Sequence, residues 1–200
     1  MRSILVWSWR LCRVLLPPIA AGVIAVTGSL LYLGPRLPSV DVLRDIRFQE
    51  PLRVYSRDGL LMGEFGEMRC TPVRFEQIPQ VLIQAMLAAE DDRFLSHHGV
   101  DFGGLTRAAW ELATTRSIQS GGSTITMQVA RNYFLSRDQT FVRKFNEILL
   151  ALQIERELDK QQILELYLNK IFLGYRAYGV EAAAQVYYGR PIQQLSLDEA

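Results

Sequence analysis

The sequence predicts a mainly α-helical domain with one small β-hairpin, preceded by a single N-terminal transmembrane helix. Three observations support this fold class. A twenty-residue segment near the N-terminus carries no charge, a short apolar segment surrounds an Asp-Gly pair, and apolar residues recur at helical spacing over most of the remaining chain. The 200 residues are enough for one domain after such a span.

The uncharged segment covers residues 14–33, between Arg13 and Arg36. At about 1.5 Å per residue it measures roughly 30 Å, the thickness of the hydrocarbon core of a bilayer. A cleaved signal peptide is the alternative. The segment is longer than the usual apolar core of a signal peptide, and no small-x-small cleavage site follows Leu33. An uncleaved anchor is therefore the better interpretation.

The orientation of the span follows only weakly from charge. Three arginines precede it and three follow it: Arg2, Arg10 and Arg13, then Arg36, Arg44 and Arg47. The positive-inside rule then slightly favours a cytoplasmic segment at residues 1–13. A long folded domain is translocated largely regardless of such charges, so we expect the domain on the outer side of the membrane.

Composition excludes some partners. The chain carries 22 basic and 21 acidic residues, and it has no basic tract interleaved with aromatic residues, so we expect no nucleic-acid partner. Cys12 and Cys70 do not have the spacing of a metal site, and the predicted span separates them.

After the span, residues 34–51 form a proline-punctuated connector, and residues 52–200 form the predicted domain. Its first element is a β-hairpin, in which residues 52–55 and 60–65 are the strands and Asp58-Gly59 is the turn. Apolar spacing then predicts three helices, starting near Ile78 and covering residues 141–158 and 160–174. The residues expected to face inward are Ile78, Val81, Leu82, Ala85, Met86 and Ala89 in the first helix, Phe141, Phe145, Ile148, Leu149, Leu152, Leu150, Ala151 and Ile154 in the second, and Ile163, Leu164, Tyr167, Leu168 and Ile171 in the third.

Glu90 is an ionisable residue on the apolar stripe of the first helix. It lies four residues after Met86 and eight after Leu82, on the same side of a helix. Such a carboxylate is either a helix-end residue at the solvent edge or a base whose pKa is raised by desolvation. Taken alone, Glu90 fits the first interpretation better. His97 and His98 lack further ligands nearby and are expected to pack or to hydrogen-bond in the loop after Glu90.

Two further clusters are candidates for binding an anion. The flexible segment 121–128 enters a helix that Ser123 can cap, which leaves backbone N–H groups for an anion. A plain capped helix is the alternative there.

Glu147 follows Arg143 by one turn and Lys144 by three residues, which is either a simple ion pair or a partly buried cationic site. Glu165 and Asn169 are expected to orient the cleft without touching the substrate. Together these features predict group transfer at a phosphorylated, partly hydrophobic substrate that lives in the membrane.

Four motifs in order resemble glycosyltransferase family 51, the peptidoglycan polymerases. They are E-D-x-x-F-x-x-H-x-G at 90–99, G-x-S-T-[IL]-T-Q-Q at 121–128, R-K-x-x-E at 143–147 and I-L-E-x-Y-L-N at 163–169. Residues 173–180 are similar to class A penicillin-binding proteins of the 1A type. The chain departs from the family pattern at Met127, where Gln is usual. It also lacks the fifth motif and the transpeptidase domain, so we expect an incomplete domain with weak or no activity.

The resemblance implies a lysozyme-like glycosyltransferase fold, lipid II and the growing glycan strand as substrates, and other cell-wall synthesis proteins as possible partners. It also implies a single-pass protein of the bacterial inner membrane with a periplasmic catalytic domain. No cofactor is required, although Glu147 could hold a divalent cation, Mg²⁺ or Mn²⁺. A lysozyme-like hydrolase and a non-catalytic fragment or scaffold are the alternative functions. The implied site residues are Glu90 as general base, Glu147 as the residue that orients the cations, and Asp91, Phe94, Ser123, Thr124, Gln128, Arg143 and Lys144 as ligands of the substrate and its diphosphate.

Overall fold

The computed structural model describes residues 37–46, 52–65, 69–115, 122–135 and 140–199, and the single positions Pro17 and Gly28. The chain divides into two units, Met1–Pro38 and Ser39–Ala200, and the second is described below. The predicted membrane span at residues 14–33 lies outside the described residues, except for those two positions. Within the described ranges, no helix has the length and apolar character needed to cross a bilayer.

The predicted hairpin is confirmed. Strands β1 (Leu52–Tyr55) and β2 (Leu61–Phe65) pair antiparallel, and Gly59 between them has a φ of +79°, as a tight turn requires. A second, two-stranded sheet pairs β3 (Arg69–Cys70) in parallel with β4 (Ala177–Tyr178).

Helices make up most of the described domain. The helices predicted from Ile78 and over 141–158 and 160–174 are found as α1, α4 and α5, and the last of these ends four residues earlier than expected. Ile171 leaves the helix in an extended conformation and leads the chain toward β4. The α-helices are α1 (Gln80–Glu90), α2 (Phe102–Thr115), α3 (Ile125–Phe134), α4 (Phe141–Glu157), α5 (Lys160–Lys170) and α6 (Val180–Tyr188).

Helices α3, α4 and α5 pack together around the largest group of buried side chains. The predicted inward face of α5 is confirmed, except that Ile171 is only half-buried. The prediction for α4 is correct for Leu150, Ala151 and Ile154, whereas Phe145 is half-buried. The completely buried apolar side chains of the three helices are Ile125, Met127, Val129, Ala130, Leu150, Ala151, Ile154, Ile163, Tyr167 and Leu168.

Helix α1 is less buried than its sequence predicts. Leu82 and Ile83 are buried, but Val81 and Ala89 are exposed, and Met86 is half-buried. Only part of one helix face meets the core, and the C-terminal turn extends toward solvent. The stripe of apolar residues therefore does not continue as a buried surface up to the end of the helix.

The segment that leads into α1 is held by α5. Asn169 is buried, its Oδ1 accepts a hydrogen bond from the Val73 N–H (2.8 Å), and its Nδ2 donates to the Val73 carbonyl (2.8 Å). Glu165 Oε2 accepts from the Phe75 N–H at 2.7 Å. Both side chains thus bind backbone, in agreement with an orienting role.

Candidate active site

Glu90 is the last residue of α1, and its side chain is exposed. Gln128 on α3 donates a hydrogen bond from Nε2 to Glu90 Oε2, with a donor–acceptor distance of 2.9 Å. Of the two interpretations of Glu90, the helix-end residue at the solvent edge agrees with this exposure, and the carboxylate desolvated on an apolar face does not. Glu90 is therefore an accessible carboxylate whose orientation is fixed by an amide.

Two residues near Glu90 were not singled out in the sequence. Tyr167 on α5 is completely buried, and its hydroxyl has no hydrogen-bond partner among the described residues. Its pKa is raised mainly by burial and also by Glu90, and Arg131 opposes this shift. Glu90 and Arg131 are thus within electrostatic reach of one hydroxyl group. The sequence did carry one indication of Arg131 as a site residue, since it follows Gln128 by three residues and therefore lies on the same helix face.

The Asp91 carboxylate is hydrogen-bonded to other residues of the protein. The side chain is buried, its Oδ2 accepts from the backbone N–H of Ile125 (3.0 Å), and both of its oxygens lie within 3.1 Å of His97 Nε2. The sequence places Asp91 among the substrate ligands, whereas in the structure it joins the loop after α1 to the start of α3. The expectation that His97 hydrogen-bonds within this loop is confirmed.

Phe94 also has a structural position. Its side chain is 0% exposed, so it presents no surface in this structure, and its predicted contact with substrate stays a prediction. The ring packs edge-on against the ring of His97, and Lys160 Nζ lies 4.3 Å from its centroid.

The N-terminus of α3 is capped by Thr124 and not by Ser123. Thr124 Oγ1 accepts from the Met127 N–H (3.2 Å) and donates to the Gly99 carbonyl (2.6 Å). The N–H groups of Ile125 and Met127 are already bonded to protein oxygens, so they are not free to bind an anion. Ser123 instead accepts a hydrogen bond from Lys144 Nζ at 2.6 Å.

The cationic cluster on α4 is the most buried charged group of the site. Glu147 is 1% exposed and forms ion pairs with Arg143, through Oε1, and with Lys144, through Oε2 (3.1 Å). The side chain of Lys144 remains 36% exposed. Two cations surround one carboxylate, so the cluster keeps a net positive charge that Lys144 presents to solvent.

The surroundings of Glu147 do not fit a divalent ion. Both carboxylate oxygens are engaged by cationic side chains, which would repel a metal ion. Across the described residues, no three His, Cys, Asp or Glu side chains converge in a way that could hold a metal. Arg143 and Lys144 are the positive charges available at this position.

An open pocket connects the two parts of the site. Glu90 and Ser123, the partner of Lys144, are both among its lining residues. The pocket thus has a carboxylate able to accept a proton, and through Ser123 it adjoins a cationic group able to bind an anion. Its lining residues are Glu90, Asp91, Asp92, Asp101, Gly104, Arg107, Gly122, Ser123 and Thr124.

Met127 lies in the core and not in the pocket. It is completely buried against Val100 and Ala151. The missing amide at this position therefore removes no group from the pocket.

Comparison with known proteins identifies relatives over almost the whole chain. Residues 58–200 match the family model described as Transglycosylase. Penicillin-binding protein 1A of Pseudomonas aeruginosa is 59% identical over 196 residues, which are 98% of this chain and 24% of that protein. Penicillin-binding protein 1A of Escherichia coli is 50% identical over 181 residues, 90% of this chain and 21% of that protein.

A crystal structure of penicillin-binding protein 1A from Haemophilus influenzae matches 77% of this chain and 13% of that chain, at 34% identity and a TM-score of 0.37. The chain spans about a quarter or less of the length of these relatives.

Proposed function

The chain belongs to the transglycosylase family, and we propose that it is the glycosyltransferase part of a class A penicillin-binding protein of the 1A type. It joins lipid II units into β-1,4-linked glycan strands for the bacterial cell wall and releases undecaprenyl diphosphate. The observation that carries this proposal is the pocket lined by both Glu90 and Ser123, whose hydroxyl is bonded to Lys144.

Glu90 is the proposed general base. The acceptor 4-hydroxyl of N-acetylglucosamine loses a proton as it attacks the anomeric carbon of the donor. A general base must reach that hydroxyl, and Glu90 is exposed at the edge of the pocket. The amide of Gln128 bonds Oε2, and within the described part of the chain no group bonds Oε1, which is thus available to accept the proton. Attack on an α-linked donor with a single displacement gives the β-linked product.

Lys144, Arg143 and Ser123 are the proposed site for the departing diphosphate. A lipid diphosphate is a stable anion, so it needs neutralisation of its charge more than a proton. The Lys144 ammonium is partly exposed, and Glu147 fixes it beside the Ser123 hydroxyl. Glu147 is itself enclosed by cations and buried, and therefore serves to hold them. Arg131 is a further cation which, like Glu90, lies within electrostatic reach of the Tyr167 hydroxyl.

The substrate explains the proposed location. Lipid II carries its polyprenyl chain in the membrane, and the span predicted at residues 14–33 would keep the domain beside it. We infer a single-pass protein of the inner membrane with its catalytic domain in the periplasm. The growing glycan strand is the second substrate, and other cell-wall synthesis proteins are candidate partners.

A glycan hydrolase is the second candidate, because the family's fold is similar to that of lysozyme. A hydrolase uses a carboxylic acid to protonate the leaving sugar oxygen and a water molecule to attack. It needs no group that binds diphosphate. The buried Arg143–Glu147–Lys144 cluster at the pocket favours transfer from a diphosphate donor. A scaffold without activity would need neither Glu90 nor the cationic cluster.

Product analysis separates these functions. The full-length protein that carries this domain is incubated with lipid II labelled in its sugars and, in a parallel reaction, with finished glycan strands. We expect new β-1,4-linked glycan and an equivalent release of undecaprenyl diphosphate from lipid II, with the finished strands unchanged. Shortening of finished strands without polymerisation would identify a hydrolase. No change in either reaction would favour the scaffold and contradict the proposal.

A further inference from the structure

The loop 91–99, which directly follows Glu90, is fastened at three points. Asp91 accepts from the Ile125 N–H (3.0 Å), the Gly99 carbonyl accepts from Thr124 Oγ1 (2.6 Å), and the His97 carbonyl accepts from Lys160 Nζ (2.8 Å). The first two bonds attach the loop to α3. The third attaches it to α5, on which no residue has so far been assigned a part in the reaction.

Lys160 is the first residue of α5, and its ammonium group has three neighbours inside the protein. It donates to the His97 carbonyl and to Glu155 Oε1 (2.7 Å), and it lies over the ring of Phe94. Its side chain is 25% exposed. These contacts direct the ammonium group toward the loop, so Lys160 has no evident role in binding substrate.

Glu155 connects this lysine to α3. The same Oε1 that accepts from Lys160 also accepts from Thr126 Oγ1 at 2.6 Å, and the carboxylate is almost fully buried. Lys160 therefore links the loop to α4 through Glu155 and, through Thr126, to the helix that carries Gln128. A buried carboxylate with such partners is costly to leave unpaired.

The loop lies directly on α4. Gly99 has a φ of +85°, and a Cβ atom at this position would stand 2.7 Å from the Ala151 carbonyl oxygen. There is no space into which the loop could shift in that direction. Its geometry is held by the hydrogen bonds at its two ends, by the ion pair of Arg93 with Asp101, and by Lys160 near His97.

We propose that Lys160 is a positioning residue for the glycosyl transfer. It holds His97, whose Nε2 bonds Asp91 at 2.9 Å, and Asp91 in turn fixes the end of α1 that presents Glu90. This inference rests on the proposed function in one respect only: Glu90 is taken to be the base. The position of Lys160 in the bonded network is independent of that assignment.

Amide hydrogen exchange tests the network without reference to activity. Lys160→Met keeps the apolar stem and removes the ammonium, and Lys160→Arg keeps the charge. Arg44→Met is the matched control. Arg44 also bonds one carbonyl and one carboxylate, both of Glu157 on α4, and both residues are distant in sequence from the loop 91–99. In Lys160→Met we expect the amide hydrogens of Phe94, His97 and Ile125 to exchange about tenfold faster than in the wild-type protein. The amide hydrogens within α5 should exchange at the wild-type rate. Exchange that is unchanged, or faster by the same factor throughout the domain, would overturn the inference.

Steady-state kinetics with lipid II tests the consequence. In Lys160→Met we expect kcat to fall about tenfold and KM to stay within twofold, since a misplaced base slows the chemical step and leaves binding intact. Lys160→Arg should recover most of the rate. A Lys160→Met protein as active as Arg44→Met would overturn the inference. A wild-type full-length protein without polymerase activity would contradict the proposed function, and the exchange measurement would then decide the role of Lys160 alone.

Discussion

At the scale of single residues, the carboxylates of Glu90 and Glu147 lie in opposite surroundings. Glu90 is exposed and accepts one amide hydrogen bond, whereas Glu147 is buried and pairs with two cations. An accessible carboxylate can receive a proton from an incoming hydroxyl group. A carboxylate enclosed by two cations is poorly suited to this, but it can hold those cations in place. These surroundings suit the two proposed roles, acid–base chemistry for Glu90 and the holding of neutralising cations for Glu147.

Met127 provides a prediction at this scale. Replacing Met127 by Gln, the usual residue of the family, places an amide against Val100 and Ala151 in the apolar core. Burying an amide without partners costs about 1–3 kcal/mol. We therefore expect Met127→Gln to lower the free energy of unfolding by that amount in urea titrations.

The control for this substitution is Met62→Gln, because Met62 is an exposed methionine of β2. It should leave the free energy of unfolding almost unchanged. Equal stability of Met127→Gln and the wild-type protein would show that the core supplies partners for the new amide.

Residue-level prediction from sequence succeeded where the partners share one helix. Arg143, Lys144 and Glu147 are three and four residues apart, so their pairing followed from helix geometry alone. Asp91 and Phe94 were placed among the substrate ligands by the family resemblance, and their partners within the protein could not be read locally. Ile125 and Lys160, which bind this loop, come from helices that are distant in sequence.

At the scale of secondary-structure elements, α3 is the common support of the site. Gln128 binds Glu90, Ile125 binds Asp91, Thr124 binds the far end of the same loop, and Thr126 binds Glu155. Four residues of one helix end therefore connect the candidate base to the rest of the domain. A rigid helix is well suited to this task because its side chains keep fixed relative positions.

Asp101 gives a prediction for α2. Burial raises the pKa of its carboxyl group, but the backbone N–H groups of Gly104 and Gly103 and the Arg93 guanidinium together lower it below its ordinary value. A folded-state pKa below that of the unfolded chain means that the charged form stabilises the fold. This contribution is present above the unfolded pKa of about 4 and is lost as the pH falls through the folded pKa.

The measurement compares Tm at pH 6 and at pH 3 in the wild-type protein and in Asp101→Asn. Asp101→Asn should have a lower Tm than the wild-type protein at pH 6. Its Tm should fall less between pH 6 and pH 3, since it lacks the titrating group. Asp58→Asn, at the exposed hairpin turn, is the control and should retain the pH dependence of the wild type. Identical pH dependence in Asp101→Asn and the wild-type protein would contradict this assignment.

Elements with local signals could be predicted, and those built from distant pairings could not. The Asp58-Gly59 turn identified the hairpin, and apolar spacing identified α1, α4 and α5. The pairing of β3 with β4 joins segments at opposite ends of the domain's sequence, so no local pattern indicates it. That pairing is also associated with the early end of α5 at Lys170, because the chain must turn back toward β4.

At the scale of the whole molecule, the candidate site is assembled from four helices and the segments between them. Helix α1 contributes Glu90, the start of α3 contributes Ser123 and Gln128, α4 contributes the cationic cluster, and α5 contributes Lys160. The motifs predicted which residues would meet. They could not decide between a solvent-edge and a desolvated Glu90, because exposure depends on how far α1 extends beyond the core.

The most direct test of the central claim is the rate of glycan synthesis from lipid II by Glu90→Gln. The substitution keeps the size of the side chain and removes the group that accepts the proton. Glu76→Gln, at an exposed glutamate just before α1, is the control. If Glu90 is the general base, the rate of Glu90→Gln should be lower by about 100-fold or more, and its Tm should be unchanged. Glu76→Gln should keep the wild-type rate. Glycan synthesis by Glu90→Gln at the wild-type rate would contradict the account.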